Sequence, residues 1–249
     1  MSLEQVADRI SQWIADQVRS AGAQGGVLGV SGGVDSALVA ALTARALPGR
    51  CLGLLMPCHS QPEDEEWGRL VIRTFGLESL RVDLTPAYDA LLGCLPPGSD
   101  IARANLKPRL RMATLYYVAN SRNYLVIGSG NKSELMVGYF TKHGDGGVDL
   151  LPIGGLYKHQ VRALARAVGV PQAIVDRPPT AGLWPGQTDE GEMGITYNEL
   201  DAVLAALEAG DVGHLDAALV DRVQKMKARS EHKRRMPPVC PVEWPATLG

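Results

Sequence analysis

The sequence has few aromatic residues, almost no net charge and no long apolar run. Aromatic residues make up 5% of the 249 residues, and 25 Lys and Arg against 27 Asp and Glu give a formal net charge of −2. A near-neutral chain lacks the basic surface of a general nucleic-acid binder. No apolar run approaches the roughly 20 residues of a membrane-spanning helix. We therefore expect neither a nucleic-acid partner nor a membrane partner.

Cysteine is also scarce, and its spacing excludes two classes of protein. The four cysteines, Cys51, Cys58, Cys94 and Cys240, form no C-x-x-C pair and have no histidine at zinc-finger spacing. Such scattered thiols are typical of a reducing compartment rather than of a secreted disulfide framework. The first 20 residues lack the continuous apolar segment of a signal peptide. Both observations predict a cytoplasmic location.

Glycine and proline, by contrast, are abundant, with 28 and 16 residues, and 45% of the chain is hydrophobic. Short apolar runs alternate with helical patterns, which predicts a parallel sheet covered by helices on both faces. We expect a single α/β domain over 1–249, with three α/β/α layers, a Rossmann-like arrangement and about five strands. Residues 176–192 are dense in proline, glycine and acids without periodicity, and we interpret them as a mobile loop. Strands are predicted at 27–30, 51–56, 80–84 and 124–127, and helices at 3–19, 37–47, 63–75, 105–120, 159–168, 197–207 and 214–235.

The turn after the first predicted strand has the sequence SGGVDS at 31–36. In an open parallel sheet the ligand binds beyond the carboxyl ends of the strands, which is where this turn lies. Consecutive backbone amides and a following helix N-terminus favour an anion such as a pyrophosphate. The carboxylate of Asp35 would repel phosphate directly, but a bridging Mg²⁺ accepts oxygens from both groups. The alternative interpretation is an ordinary capped helix start.

The turn and several later segments resemble a known family. The SGGxDS pattern is similar to the ATP pyrophosphatase superfamily, whose adenine nucleotide alpha hydrolase-like members adenylate a carboxylate or carbonyl. Residues 128–134 (GSGNKSE) and 137–149 (VGYFTKHGDGGVD) resemble the core of the NAD synthetase family. The resemblance continues at 151–153, 155–158, 179–181, 189–190, 194–197 and 231–234, and spans about 25 to 236.

The resemblance implies a ligase reaction that forms a carbon–nitrogen bond. Members of the NAD synthetase family convert deamido-NAD, ATP and ammonia into NAD, AMP and pyrophosphate through an adenylate. This is the last step of NAD biosynthesis. Charge accumulates on phosphate oxygens, so catalysis would depend on positioning and electrostatics rather than on a covalent nucleophile.

By family position, Asp35 and Glu134 are expected to bind Mg²⁺. Standing alone, Glu134 would more often be a solvated helix carboxylate, and Lys158 would in most cases be a surface lysine. The resemblance instead assigns Lys158 to the phosphates and, with Asp35 and Asp145, to catalysis. The expected ATP-binding residues are Gly29, Val30, Ser31, Gly32, Gly33, Val34, Asp35, Ser36, Ser129, Lys158 and Thr180.

The same resemblance assigns a second set of residues to deamido-NAD. Arg109 lies in NLKPRLRM at 105–112, which could otherwise be a basic helix face. Asp145 is the family acid near the nicotinate and is a candidate for orienting or deprotonating ammonium. The expected deamido-NAD contacts are Arg109, Tyr116, Lys142, Asp149, Glu192, His232 and Lys233.

The nitrogen donor and the assembly follow from the same family comparison. Glutamine-dependent members carry a separate nitrilase-like domain, for which the 249 residues leave no room, so free ammonia is expected unless a partner chain supplies it. A homodimer is expected, with helices 3–19 and 105–120 as candidate interface elements.

One alternative is a tRNA-modifying or sulfur-transfer member of the superfamily, although the net charge and cysteine spacing weigh against it. Another alternative is a non-catalytic nucleotide sensor, although the presence of Asp35, Glu134, Asp145 and Lys158 together weighs against it.

Overall fold

The computed structural model describes residues 1–184, 186–242 and 244, and within them the fold is built on one parallel sheet. Its strands are β1 (Gly25–Gly29), β2 (Cys51–Leu55), β3 (Glu78–Arg81) and β4 (Tyr124–Val126), in the order β3-β2-β1-β4. The helices are α1 (Leu3–Ser20), α2 (Val34–Ala46), α3 (Pro62–Phe75), α4 (Thr85–Cys94), α5 (Asp100–Ala104), α6 (Leu106–Arg122), α7 (Lys132–Val137), α8 (Lys158–Ala167), α9 (Gln172–Val175), α10 (Asp189–Met193), α11 (Tyr197–Ala209), α12 (Ala217–Arg229) and α13 (Glu231–Arg234).

The predicted parallel α/β architecture is confirmed, but the predicted number of strands, about five, is wrong by one within the described chain. Leu150 makes only a single parallel bridge, to Ile127. The Asp149 carboxylate accepts from the backbone N–H of Val126 at 2.7 Å, and the chain turns again at Gly154. Extended pairing therefore stops after one residue.

Helix α2 begins three residues earlier than the sequence predicted, at Val34 rather than Ala37. Gly32 has a φ of +79°, and a Cβ atom added to it would lie 2.4 Å from Cβ of Trp67. Glycine is the residue that tolerates both this backbone conformation and this close approach. The early start places Asp35 and Ser36 in the first turn of α2, at the carboxyl end of β1.

Two hydrophobic clusters cover the two faces of the sheet. Alternate side chains of a strand point to opposite faces, and Leu28 accordingly packs with α1, α2 and α8, whereas Val27 packs with α4 and α6. This confirms the predicted three layers. A third cluster joins α7, α11 and α12 beside the sheet and includes Tyr197, Leu200 and Val203.

The segment predicted as a loop at 176–192 is partly helical. Thr188 caps α10 by accepting from the N–H of Gly191, and the helix then runs from Asp189 to Met193. Gln187 and Asp189 are buried. Within the part of the chain that the structure describes, no helix has both the length and the apolar character that crossing a membrane requires.

Candidate active site

A cleft of about 480 Å³ opens at the carboxyl ends of β1 and β4. Strands β1 and β4 are neighbours in the sheet although they are distant in sequence, so the loops that follow them meet at one edge. The predicted residues that line this cleft are Gly29, Val30, Ser31, Gly33, Val34, Asp35, Ser36, Ser129, Glu134, Asp145, Lys158, Thr180, Glu192 and Lys233. The predicted residues outside its lining are Gly32, Arg109, Tyr116, Lys142, Asp149 and His232.

The glycine turn forms a compact hydrogen-bonded loop at one side of the cleft. The hydroxyls of Ser31 and Ser36 lie 3.0 Å apart, and Ser36 also donates to the carbonyl of Gly33 at 3.0 Å. The first-turn amides of α2 have no intrahelical acceptor, as in every α-helix. The turn and the helix N-terminus together make a surface that suits a phosphate group.

Two predicted metal ligands converge on one lysine at the base of the cleft. The Lys158 ammonium lies 2.6 Å from Asp35 Oδ2 and 3.2 Å from Glu134 Oε1, and the lysine residue is 1% exposed. It also lies 4.6 Å from the centre of the Tyr197 ring. A buried charge requires such partners because it has lost its hydration. We call Asp35, Glu134, Lys158, Asp189 and Tyr197 the Lys158 cluster.

Asn131 is a central residue of this site that the sequence analysis did not assign. Its amide donates to Asp35 at 2.9 Å, and its side-chain oxygen accepts from the N–H of Glu134 at 3.0 Å. The Glu134 carboxylate in turn accepts from the Asn131 N–H, which completes a capping box at the start of α7. The N-x-x-E spacing in NKSE could have predicted this helix start.

Glu134, Asp189 and Tyr197 form a network of buried oxygen atoms within the Lys158 cluster. This network was not predicted from the sequence. The Tyr197 hydroxyl lies 3.1 Å from Glu134 and 3.0 Å from Asp189. Burial raises the pKa of Glu134 to about 7, with Lys158 opposing this shift and Asp35 adding to it. Burial also raises the pKa of Asp189. The pKa of Lys158 is raised as well, since its two carboxylate partners outweigh its own burial.

Tyr139 connects the network to the end of the segment 176–192, which was predicted as a loop. Its hydroxyl donates to Glu192 at 2.9 Å and lies 3.2 Å from Asp189. Gln187 also donates to Glu192, at 2.8 Å. Earlier in the same segment, the ammonium of Lys107 donates to the carbonyl of Leu183 at 2.8 Å. The 176–192 segment therefore lies against the cleft, with polar contacts at Leu183 near its middle and at Gln187 and Glu192 near its end.

Asp145 and Lys233 lie at another wall of the cleft. Asp145 accepts from the N–H of Thr141 at 2.8 Å and lines the cleft. The surrounding protein displaces water from this carboxyl and raises its pKa. Lys233 donates to the carbonyls of Gly138 and Phe140, each at 2.8 Å, and burial lowers its pKa.

Three of the residues assigned to deamido-NAD form a chain of contacts outside the cleft lining. Arg109 lies 3.4 Å from the carbonyl of Lys142, whose ammonium donates to the carbonyl of His232 at 2.7 Å. We call these three residues the Arg109 cluster. Tyr116 and Asp149 form a separate pair, with the phenol donating to the carboxylate at 2.9 Å. Burial raises the pKa of Tyr116 to about 12.

A parallel sheet with a glycine turn, paired carboxylates and a buried lysine at its carboxyl edge defines a nucleotide-binding α/β protein. The family model described as NAD synthase matches residues 6–237. The chain belongs to this family, which confirms the resemblance found in the sequence and decides against a tRNA-modifying or sulfur-transfer family.

Individual relatives agree with this assignment. The chain is 48% identical to "NH(3)-dependent NAD(+) synthetase" of Carboxydothermus hydrogenoformans, with 95% of this chain and 97% of the relative covered. It is 51% identical to the protein of the same name from Archaeoglobus fulgidus, with 97% and 98% covered. The solved structure of "NMN synthetase from Francisella tularensis" is 36% identical, with a TM-score of 0.89 and coverage of 96% of this chain and 99% of that one.

Proposed function

We propose that the protein amidates deamido-NAD with ammonia, using ATP, to give NAD, AMP and pyrophosphate. The observation that carries this proposal is the convergence of Asp35 and Glu134 on Lys158 beside the glycine turn. In a member of the NAD synthase family, this arrangement suits charge that develops on transferred phosphate oxygens.

The proposed reaction has two steps. A nicotinate carboxylate oxygen attacks the α-phosphorus of ATP, and pyrophosphate leaves. Ammonia then attacks the acyl-adenylate carbonyl, and AMP leaves with the oxygen that came from the carboxylate. The turn at Ser31 and the N-terminus of α2 would hold the phosphates, while Lys158 would supply positive charge to them. Ser129 and Thr180, which also line the cleft, are the further proposed ATP contacts.

Asp35 and Glu134 fit the proposed Mg²⁺ site. The described residues contain no group of three His, Cys, Asp or Glu side chains that could hold a metal ion. Mg²⁺ bound to nucleotides commonly takes only one or two carboxylates, with substrate phosphates and water as the other ligands. Both carboxylates already face one cation, the Lys158 ammonium. When bound, Mg²⁺ would neutralise charge on the phosphate oxygens.

Asp145 is the proposed residue for ammonia. Its carboxylate faces the cleft and is held by the Thr141 N–H, so its position is fixed before substrate arrives. A carboxylate with a raised pKa is also a better proton acceptor than an ordinary one. We propose that it orients ammonium and takes up the proton that is released.

The Arg109 cluster is the proposed site for the phosphates of deamido-NAD, and Tyr116, Asp149, Glu192 and Lys233 are proposed to contact the same substrate.

Arg109 is exposed on α6, as is Tyr117, which is 74% exposed. We propose that this face pairs with a second copy in a homodimer, which would bring the cluster under cover. Sedimentation of the purified protein with and without deamido-NAD tests this assembly.

A mononucleotide substrate is the second candidate function. It is favoured by the likeness to the Francisella tularensis structure, which is described as an NMN synthetase. The dinucleotide is favoured by relatives named NH(3)-dependent NAD(+) synthetase, which share 41–51% identity with this chain over nearly its whole length. The ratio of kcat/KM for deamido-NAD to kcat/KM for nicotinate mononucleotide separates the two substrates.

One assay tests the proposed function. The protein is incubated with ATP, Mg²⁺ and deamido-NAD, with either ammonium or glutamine, and NAD and AMP are measured. We expect equal amounts of NAD and AMP with ammonium and no NAD with glutamine. Absence of NAD with ammonium would contradict the proposed function.

A cytoplasmic location is part of the proposal and is supported by four cysteines that are all free thiols.

A further inference from the structure

A buried carboxylate outside the cleft connects the two helices that carry Glu134 and Lys158. Asp201 lies on α11 and is 3% exposed, and it is not among the residues that line the cleft. Its Oδ1 accepts from the Ser133 hydroxyl, and its Oδ2 accepts from the backbone N–H of His159 at 3.0 Å. Oδ2 also lies 2.8 Å from Nδ1 of His159.

Ser133 extends this connection to Lys158 itself. The Ser133 oxygen accepts from the backbone N–H of Lys158 at 3.0 Å, while its own proton goes to Asp201. Ser133 is fully buried and directly precedes Glu134 in α7. One hydroxyl and one carboxylate therefore hold the first turn of α7 against the first turn of α8.

A small displacement of α7 relative to α8 would change the distance between Glu134 and Lys158. The Lys158 ammonium must stay within reach of both Asp35 and Glu134, and it lies on a different helix from each of them. Helix α7 has only six residues, so it has little rigidity of its own. A negative charge beside two helix N-termini is also favourable for both helix dipoles.

We propose that Asp201, acting through Ser133, is a positioning residue that fixes the spacing between Lys158 and Glu134 for the proposed adenylation step. This inference rests on the proposed function of those two residues. Asp201 contacts neither the cleft nor any reacting group, so its effect is on geometry. A displacement of about 1 Å in a catalytic group can cost on the order of 100-fold in rate.

The test compares Ser133→Ala and Asp201→Asn with the unmodified protein. For each protein, kcat, KM for deamido-NAD, the thermal unfolding midpoint and Mn²⁺ affinity in the presence of ATP are measured. The number of ATP sites per chain is titrated so that kcat refers to folded protein alone. For Ser133→Ala we expect kcat to fall about tenfold to 100-fold, Mn²⁺ affinity to weaken and KM for deamido-NAD to stay within twofold. Asp201→Asn keeps one acceptor oxygen and should show a smaller loss.

His159→Ala is the matched control. It removes the imidazole, whose side chain is 56% exposed, but keeps the backbone N–H and the Ser133 contact of the same carboxylate. Its kcat and Mn²⁺ affinity should stay within twofold of the unmodified protein. If Ser133→Ala and Asp201→Asn lower only the unfolding midpoint, the role is structural and the proposal is wrong.

Lys158→Met separates this proposal from the proposed function. If that variant retains full kcat, the role assigned to Lys158 fails, whatever the Ser133 result. If Lys158→Met loses activity while Ser133→Ala and Asp201→Asn keep both kcat and Mn²⁺ affinity, the positioning role alone is contradicted.

Discussion

The Lys158 cluster and the Arg109 cluster each contain a lysine, but the two lysines are held by different partners. Lys158 is buried and paired with two carboxylates. In the Arg109 cluster, the Lys142 ammonium donates to a backbone carbonyl and Arg109 is exposed. Buried, mutually paired groups are fixed before a ligand arrives, so little reorganisation is needed during reaction. Among the residues that the structure describes, Arg109 and His232 are exposed, so the Arg109 cluster is not enclosed in this way. We therefore expect the first cluster to control kcat and the second to control substrate affinity.

The largest expected effect is that of Asp35→Asn. The substitution removes a proposed Mg²⁺ ligand and the closest partner of Lys158, at nearly constant volume. We expect kcat to fall on the order of 1,000-fold, which corresponds to about 4 kcal/mol of lost transition-state stabilisation. Steady-state AMP formation measures the loss. A variant with more than a tenth of the original kcat would remove the basis for assigning catalysis to the Lys158 cluster.

The next effect is on stability and its dependence on pH. The pKa of Glu134 is about 7 in the folded protein against an ordinary value of 4.5, so the folded state binds the proton more tightly. Its contribution to the free energy of unfolding therefore rises as pH falls from about 7 to about 4.5, on the order of 2 kcal/mol. Urea unfolding near pH 5 and near pH 7.5 should show this change in the unmodified protein.

Glu134→Gln is the matched variant, because glutamine keeps the shape of the side chain without its titration. Its stability should change less between the two pH values, and the difference between the two proteins is the contribution of Glu134. An identical pH dependence in both proteins would mean that Glu134 titrates normally in the folded state.

A smaller and different effect is expected for Arg109→Ala. The residue is exposed, so its removal should leave kcat nearly unchanged and raise KM for deamido-NAD about tenfold. The increase should shrink at high salt, since exposed charges are screened. Initial rates at low and high ionic strength measure both effects. If kcat fell as far as in Asp35→Asn, the division of labour between the two clusters would be wrong.

The smallest effect is expected at an exposed ion pair that belongs to neither cluster. Asp221 lies 2.6 Å from Lys225 on α12, and both side chains are exposed. Asp221→Ala should change the free energy of unfolding by no more than about 0.5 kcal/mol and should leave KM unchanged. The variant thus serves as a surface reference for the other substitutions, measured in the same urea titration.

The sequence predicted the Lys158 cluster incompletely, and the reasons are physical. Asp35 and Glu134 follow buried strands, so the rule for parallel sheets places both at one edge. Asp189 and Tyr197 lie in segments that resemble the family, but no local pattern indicated that their side chains are buried. Tyr197 is buried in the third hydrophobic cluster, which forms only when distant elements pack together. Asp201 occurs in an ordinary helical run, TYNELD, and only the packing of α11 shows that its carboxylate is buried.

The fold was predictable for elements with several turns or a clear apolar run. The pattern over 3–19 agrees with α1, and the predicted alternation of strands and helices agrees with the parallel sheet. Helices α5, α7, α9 and α10 have four to six residues, which is too short for a helical period to be visible. The predicted fifth strand does not form next to β4 in the described chain. The Asp149 side chain there accepts from the Val126 N–H, a group that a neighbouring strand would otherwise bind.

At the Lys158 cluster, we expect an adenylyl group to pass from ATP to a nicotinate carboxylate. Deamido-NAD labelled with ¹⁸O in both carboxylate oxygens tests it directly, with mass spectrometry of the nucleotides after one turnover. Adenylation predicts one ¹⁸O atom in AMP, one in the amide of NAD and none in pyrophosphate. Product NAD without any ¹⁸O in AMP would contradict this expectation.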